Sequence, residues 1–178
     1  MHINKSIIII IKTYINIKMI SFKSRKIKII GYSISIILLD QISKFLVLST
    51  LGFERSKNII PNLLNFTLVR NKGAAFSLFS NSTNFLTITS VIASLLLITI
   101  ILRSPPKSYW NFIGLAYLLG GTVGNGIDRL FKGYVLDFLE LVPINFPIFN
   151  VADVSINIAI FCFIIDIIKT KDKSKLKY

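Results

Sequence analysis

Four aspartates set the chemistry open to this chain of 178 residues: Asp40, Asp128, Asp137 and Asp153. Asp137 lies in Gly133-Tyr134-Val135-Leu136-Asp137-Phe138 and Asp153 in Phe149-Asn150-Val151-Ala152-Asp153, each among apolar neighbours. Two carboxylates brought to one place cannot both ionise readily, so the pair holds one proton. The charged member then suits the activation of water, and the protonated one suits polarisation of a carbonyl. A 16-residue excursion separates them, long enough to leave and re-enter one surface. Other chemistries have little support. One histidine (His2, in the extreme tail) and one cysteine (Cys162) argue against a histidine or multi-cysteine metal site, a Ser-His-Asp triad and a disulfide framework.

Two further groups accompany the pair. Asp40 and Lys44, in Asp40-Gln41-Ile42-Ser43-Lys44, are four apart and share a helix face. They read either as a structural ion pair or as the wall of a binding site. Ser43 and Lys44 do not read as a Ser-Lys nucleophile, because adjacent helical residues point about 100° apart. The second group runs from Gly120 to Arg129. Gly120 and Gly124 give a small-xxx-small face for close helix packing in lipid, which leaves Asn125, Asp128 and Arg129 unexplained. Asp128 and Arg129 read as braces at the end of a span or as participants in the chemistry.

The elements that position these residues are membrane helices. Hydrophobic residues make up 53% of the chain, and mean hydropathy is +0.68; a soluble domain of this size has too little interior for that much apolar side chain. Four spans are expected, at about 29–51, 85–102, 110–127 and 151–168. With the N-terminus in the cytoplasm, the outside segments hold only Arg55, Lys57, Arg70, Lys72, Arg129 and Lys132; apart from Lys44, every other basic residue falls inside. That bias places both termini in the cytoplasm. The net charge of +13 flanks the spans and forms no single stripe, which speaks against nucleic acid as a partner.

Outside, Leu63 to Val69 carries strand-forming residues, Asn71-Lys72-Gly73 offers a turn, and Ala74 to Phe79 is expected to return as a second strand. Asp128 to Asn150 is the other outside segment, with Pro143 and Pro147 stopping any continuous helix. Residues 1–26 read as a basic extension, with 1–18 dispensable and Met19 a plausible start. Residues 27–170 read as the membrane domain and 171–178 as a basic tail.

Taken in order, Asp40-Gln41-Ile42-Ser43-Lys44, Asn71-Lys72-Gly73-Ala74-Ala75-Phe76, Gly120 to Asp137 and Phe149-Asn150-Val151-Ala152-Asp153 resemble the motifs of lipoprotein signal peptidase, the bacterial signal peptidase II family. The resemblance covers about residues 27–170. It implies an all-α integral membrane protein with four transmembrane helices and a small extracytoplasmic β-cradle. It implies an aspartic endopeptidase of the bacterial inner membrane, without cofactor or metal, whose partners are membrane lipid and diacylglyceryl prolipoproteins cut just before the modified cysteine. Asp137 and Asp153 match the catalytic pair. Asn71, Asn125, Arg129 and Asn150 match residues that line and brace the site. Asp40, Lys44, Gly73 and Asp128 match further motif positions with a supporting role. Thr122 and Val154 depart from the pattern, and neither removes a residue the chemistry needs.

Two other classes compete. A small proton- or cation-coupled transporter would use Asp40, Asp128 and Asp153 as a path and needs carboxylates at midplane depth. A membrane scaffold would use the glycine face, and gives no reason for Asn125, Asp137, Asn150 and Asp153 together.

Overall fold

The computed structural model describes residues 5–73, 82–104, 106, 108–144 and 146–175, with side chains described between residues 23 and 171. Its elements in chain order are helix α1 (Lys5–Leu51), strands β1 (Ser56–Ile60) and β2 (Leu64–Asn71), helices α2 (Thr83–Arg103) and α3 (Tyr109–Lys132), strand β3 (Val135–Leu141) and helix α4 (Val151–Lys175).

Three helical segments are long and apolar enough to cross a membrane: Lys23–Leu51, Thr83–Arg103 and Val151–Lys171. Large apolar side chains along them stay exposed, among them Phe45, Ile88, Leu95 and Phe161. On α2 the hydroxyls of Thr87, Thr89, Ser90, Ser94 and Thr99 donate to the carbonyl one turn back, so polar side chains are satisfied within the helix itself.

Helix α3, expected as the third span, is not among those three segments. Its glycines, Thr122, Asn125 and Asp128 lower its hydropathy, and the reason lies in its position. It packs against all three other helices, and Gly120, Gly121, Gly124, Asn125 and Asp128 are buried there. Those glycines are contact points. A Cβ on Gly120 would lie 2.7 Å from the Ile36 side chain of α1, and one on Gly121 would lie 2.5 Å from the carbonyl oxygen of Ala152 on α4. Helix α3 also runs five residues beyond the expected Ile127, ending only where Gly133 adopts φ 76°. Asp128 and Arg129 therefore belong to its last turns, not to a loop. Helix α1 likewise reaches back to Lys5, well before the expected Ile29.

The sheet has the order β1-β2-β3 and is antiparallel throughout. Strand β2 falls on the expected Leu63–Val69 run but starts at Leu64 and continues to Asn71. Its partners β1 and β3 come from segments not read as strands, and the expected return over Ala74–Phe79 lies outside the described residues. Strand β3 occupies part of the outside segment after α3. It pairs Val69 with Asp137 and Asn71 with Val135, beyond an irregularity after Phe66. Leu68, Leu136 and Phe138 of the sheet pack on Val47 near the end of α1. A second apolar cluster, Ile29, Ile101, Leu115, Ala116 and Leu119, joins the helices nearer their opposite ends.

The glycine contacts are testable. Gly121→Ala drives a methyl into backbone and is expected to cost about 1–3 kcal/mol, lowering the apparent melting midpoint in detergent. Gly31→Ala, with nothing within 4 Å of the added atom, is expected to leave the midpoint unchanged or raise it.

Candidate active site

The site forms where the ends of α1 and α3, the start of α4 and strands β2 and β3 converge. Its base is one ammonium group. Lys44 on α1 is 1% exposed, and its Nζ lies 2.8 Å from Asp40 Oδ2 and 2.9 Å from Asp128 Oδ2. It also donates to Asn125 Oδ1 at 3.2 Å. The Asp40–Lys44 pair is thus a buried ion pair, and Asp128, 84 positions from Lys44 in the sequence, completes it.

Each carboxylate in turn holds a neighbouring element. Asp40 Oδ1 accepts from the backbone N–H of Ala152 at 2.9 Å, tying α1 to the first turn of α4. Asp128 Oδ2 accepts from Leu136 N at 3.2 Å, tying α3 to β3, and its Oδ1 accepts from Lys132 at 2.8 Å. Two contributors were not singled out in the sequence. Lys132 was detectable as the residue four beyond Asp128. Gln41 donates to Asp40 Oδ2 and to the Gly124 carbonyl, and had no comparable signal.

Asn150 caps α4. Its Oδ1 accepts from Asp153 N at 2.9 Å, while Asp153 Oδ2 accepts from Asn150 N at 3.2 Å. This reciprocal arrangement is a capping box with Asn and Asp in the two roles. The Nδ2 of Asn150 donates to Asp137 Oδ1 at 2.6 Å and to Asn125 Oδ1 at 3.0 Å. Asn125 Nδ2 donates to Asp153 Oδ1 at 2.8 Å. Asp137 Oδ2 accepts from Asn71 Nδ2 at 2.8 Å, and Asn71 Oδ1 accepts from Gly73 N. Arg129 donates to the Gly73 carbonyl at 3.2 Å and interacts with the charges of Asp153, Asp137 and Asp128.

All ten residues singled out in the sequence therefore join one connected network, with Asp137 and Asp153 on either side of Asn150. Asp137 is 1% exposed. Burial pushes its carboxyl up to about 7, and the nearby charge of Asp153 adds to the rise; the Asn71 and Asn150 amides and the Lys44 ammonium pull the other way. Among the described residues, no buried side-chain nitrogen or oxygen lacks a hydrogen-bond partner, and no group of three His, Cys, Asp or Glu side chains is placed to hold a metal. The arrangement can hold one proton between two carboxyl groups at the end of a helix bundle.

Comparison with known proteins points one way. The family profile of signal peptidase (SPase) II matches residues 32–169. The lipoprotein signal peptidase of Parasynechococcus marenigrum (strain WH8102) is 45% identical over 151 residues, covering 85% of this chain and 95% of that protein. The lipoprotein signal peptidase of Enterococcus faecalis (strain ATCC 700802 / V583) is 39% identical over 137 residues, covering 77% and 85%. A solved bacterial membrane enzyme superposes with TM-score 0.76 at 30% identity, over 82% of this chain and 90% of its own.

Lys44→Met leaves Asp40 and Asp128 facing each other in the interior without their shared counter-charge. An expected loss of about 3–5 kcal/mol follows from breaking a buried ion group on one side only. Adding Asp40→Asn and Asp128→Asn to Lys44→Met is expected to restore much of the thermal midpoint.

Proposed function

The chain belongs to the signal peptidase II family, and on that footing we propose that it is an aspartic endopeptidase removing signal peptides from prolipoproteins. Cleavage falls on the N-terminal side of a diacylglyceryl-modified cysteine. The observation that carries this reading is Asn150, whose side-chain amide binds Asp137 and whose backbone N–H binds Asp153. One residue thereby fixes both carboxyl groups in a common frame.

In the proposed reaction Asp153 carries the negative charge, at the first turn of α4 where the helix dipole favours it. Asp137, the more buried of the two, carries the proton. Asp153 takes a proton from water, whose oxygen bonds to the scissile carbonyl carbon while Asp137 hydrogen-bonds the carbonyl oxygen. Collapse of the tetrahedral intermediate breaks the carbon–nitrogen bond. The leaving nitrogen receives a proton, and the pair returns to holding one. Arg129, close to these charges, offsets the single negative charge that the pair keeps.

The proposed topology has four crossings, with α3 enclosed by the three apolar helices and both termini on the cytoplasmic face. Residues 27–170 form the peptidase domain, flanked by the basic segments 1–26 and 171–178. The sheet and the aspartate pair then lie at the outer leaflet of the inner membrane. A lipid-anchored substrate diffusing in that plane meets both the carboxyl groups and water there. Asp40, Lys44 and Asp128 support the pair; Asn71, Gly73, Asn125, Arg129 and Asn150 line and brace it.

Asp137→Asn and Asp153→Asn are each expected to abolish cleavage of a diacylglyceryl prolipoprotein in a gel-shift assay while the protein remains folded. Cleavage by either variant at the wild-type rate would overturn the assignment. An Asp137 carboxyl near 7 also fixes the alkaline limb of the pH profile. The protonated form is lost as pH rises through that value, so kcat/KM is expected to fall about tenfold per unit above it, as read by initial rates in buffers of constant ionic strength.

A further inference from the structure

Arg129 and Lys132 are absorbed into the carboxylate network, which leaves Arg55, Lys57, Arg70 and Lys72 of the outside segments unused. Among the described residues, none of the four forms an ion pair. Arg70 is the most firmly built. Its guanidinium carbon lies 3.9 Å from the centroid of the Phe53 ring and 5.4 Å from that of Tyr134. Those rings meet edge-on at 6.3 Å. Phe53 comes two residues after the end of α1, and Tyr134 two residues after the end of α3. The cation is therefore fixed at the level where both helices end.

Stacking accounts for the position of the guanidinium but not for its edges. Arg70 is exposed, and none of its guanidinium N–H groups bonds to another described residue. The carbonyl ends of α1 and α3 make a positive charge welcome there without supplying acceptors. A flat guanidinium held by its face, with its N–H fork open, matches the oxygens of a phosphate ester. Aromatic rings at the same level are the usual company of lipid headgroups.

We propose that Arg70, seated on Phe53 and Tyr134, binds the phosphate of an anionic phospholipid headgroup in the outer leaflet. This rests on the topology given under Proposed function. Arg70 and Asn71 are consecutive on β2 and point to opposite faces of the sheet. Asn71 holds Asp137, so a lipid held by Arg70 sets the depth of the carboxyl pair relative to the headgroups.

The test is native mass spectrometry of the full chain released from detergent with added phosphatidylglycerol or, separately, uncharged diacylglycerol. Wild type is expected to retain phosphatidylglycerol over diacylglycerol. Arg70→Gln is expected to retain about fivefold less, and Phe53→Leu, which removes the ring beneath the cation, to show a similar loss should Arg70→Gln fold poorly. Equal retention by wild type and both variants overturns the proposal, as does an equal loss of diacylglycerol. Release of the lipid by millimolar inorganic phosphate at fixed ionic strength overturns the choice of a lipid over a free anion. Lipid retention is read without cleavage, so failure of the peptidase reading does not alter it. Labelling of Lys57→Cys by an impermeant maleimide in intact cells reports the topology separately.

Discussion

A buried lysine ammonium governs the rest of this structure. Lys44 sits among helices whose outer surfaces are apolar, and an isolated charge there costs several kcal/mol. Two carboxylates and an amide oxygen surround it. Each of those carboxylates also accepts the backbone N–H of another element: Asp40 that of Ala152 on its other oxygen, and Asp128 that of Leu136 on the oxygen that faces Lys44, its second oxygen going to Lys132. Compensation of one charge thereby fixes the start of α4 and the line of β3. Those two elements carry Asp153 and Asp137.

The second layer is made of amides. Asn71, Asn125 and Asn150 each donate to a carboxyl oxygen of the pair. Amide side chains suit this position because they orient a carboxylate without bringing a full charge that would force both members to ionise. Burial and the mutual repulsion of the pair raise Asp137 while the amides and Lys44 oppose the rise, and the balance falls near neutrality. Close packing makes the arrangement reachable. Gly124 leaves room for Asp40 to pass between α1 and α3, since a Cβ there would lie 2.8 Å from its Oδ2.

Much of the site was legible in the sequence because its residues are chemically conspicuous. A carboxylate and a lysine one helical turn apart, and a glycine stripe followed by Asn, Asp and Arg, each carry local information, whereas Asn71, Gly73 and Asn150 entered as site residues only through the family resemblance. What joins them is not local. Nothing near Lys44 announces Asp128, and the third corner of the ion group emerges only when α1 and α3 cross. The sheet was half visible for a similar reason. Strand β2 partly alternates, whereas β3 reads Val-Leu-Asp-Phe-Leu-Glu-Leu and has its first four residues buried, so period-two patterning vanishes. Every residue of β1 is exposed, and an edge strand held on one side leaves no core pattern. The end of α3 was misjudged because hydropathy stops at Ile127, while the helix stops only at a glycine with positive φ.

The capping box on α4 has a dynamic consequence. Asp153, one of the two proposed reacting groups, is also the third residue of a helix whose first turn is capped by its carboxylate. When that carboxylate takes up a proton, its grip on the Asn150 amide weakens, and the same amide belongs to the residue that holds Asp137. In the proposed reaction, where Asp153 takes up a proton from water, the first turn of α4 gives up one of its two caps at that step and recovers it when the proton leaves.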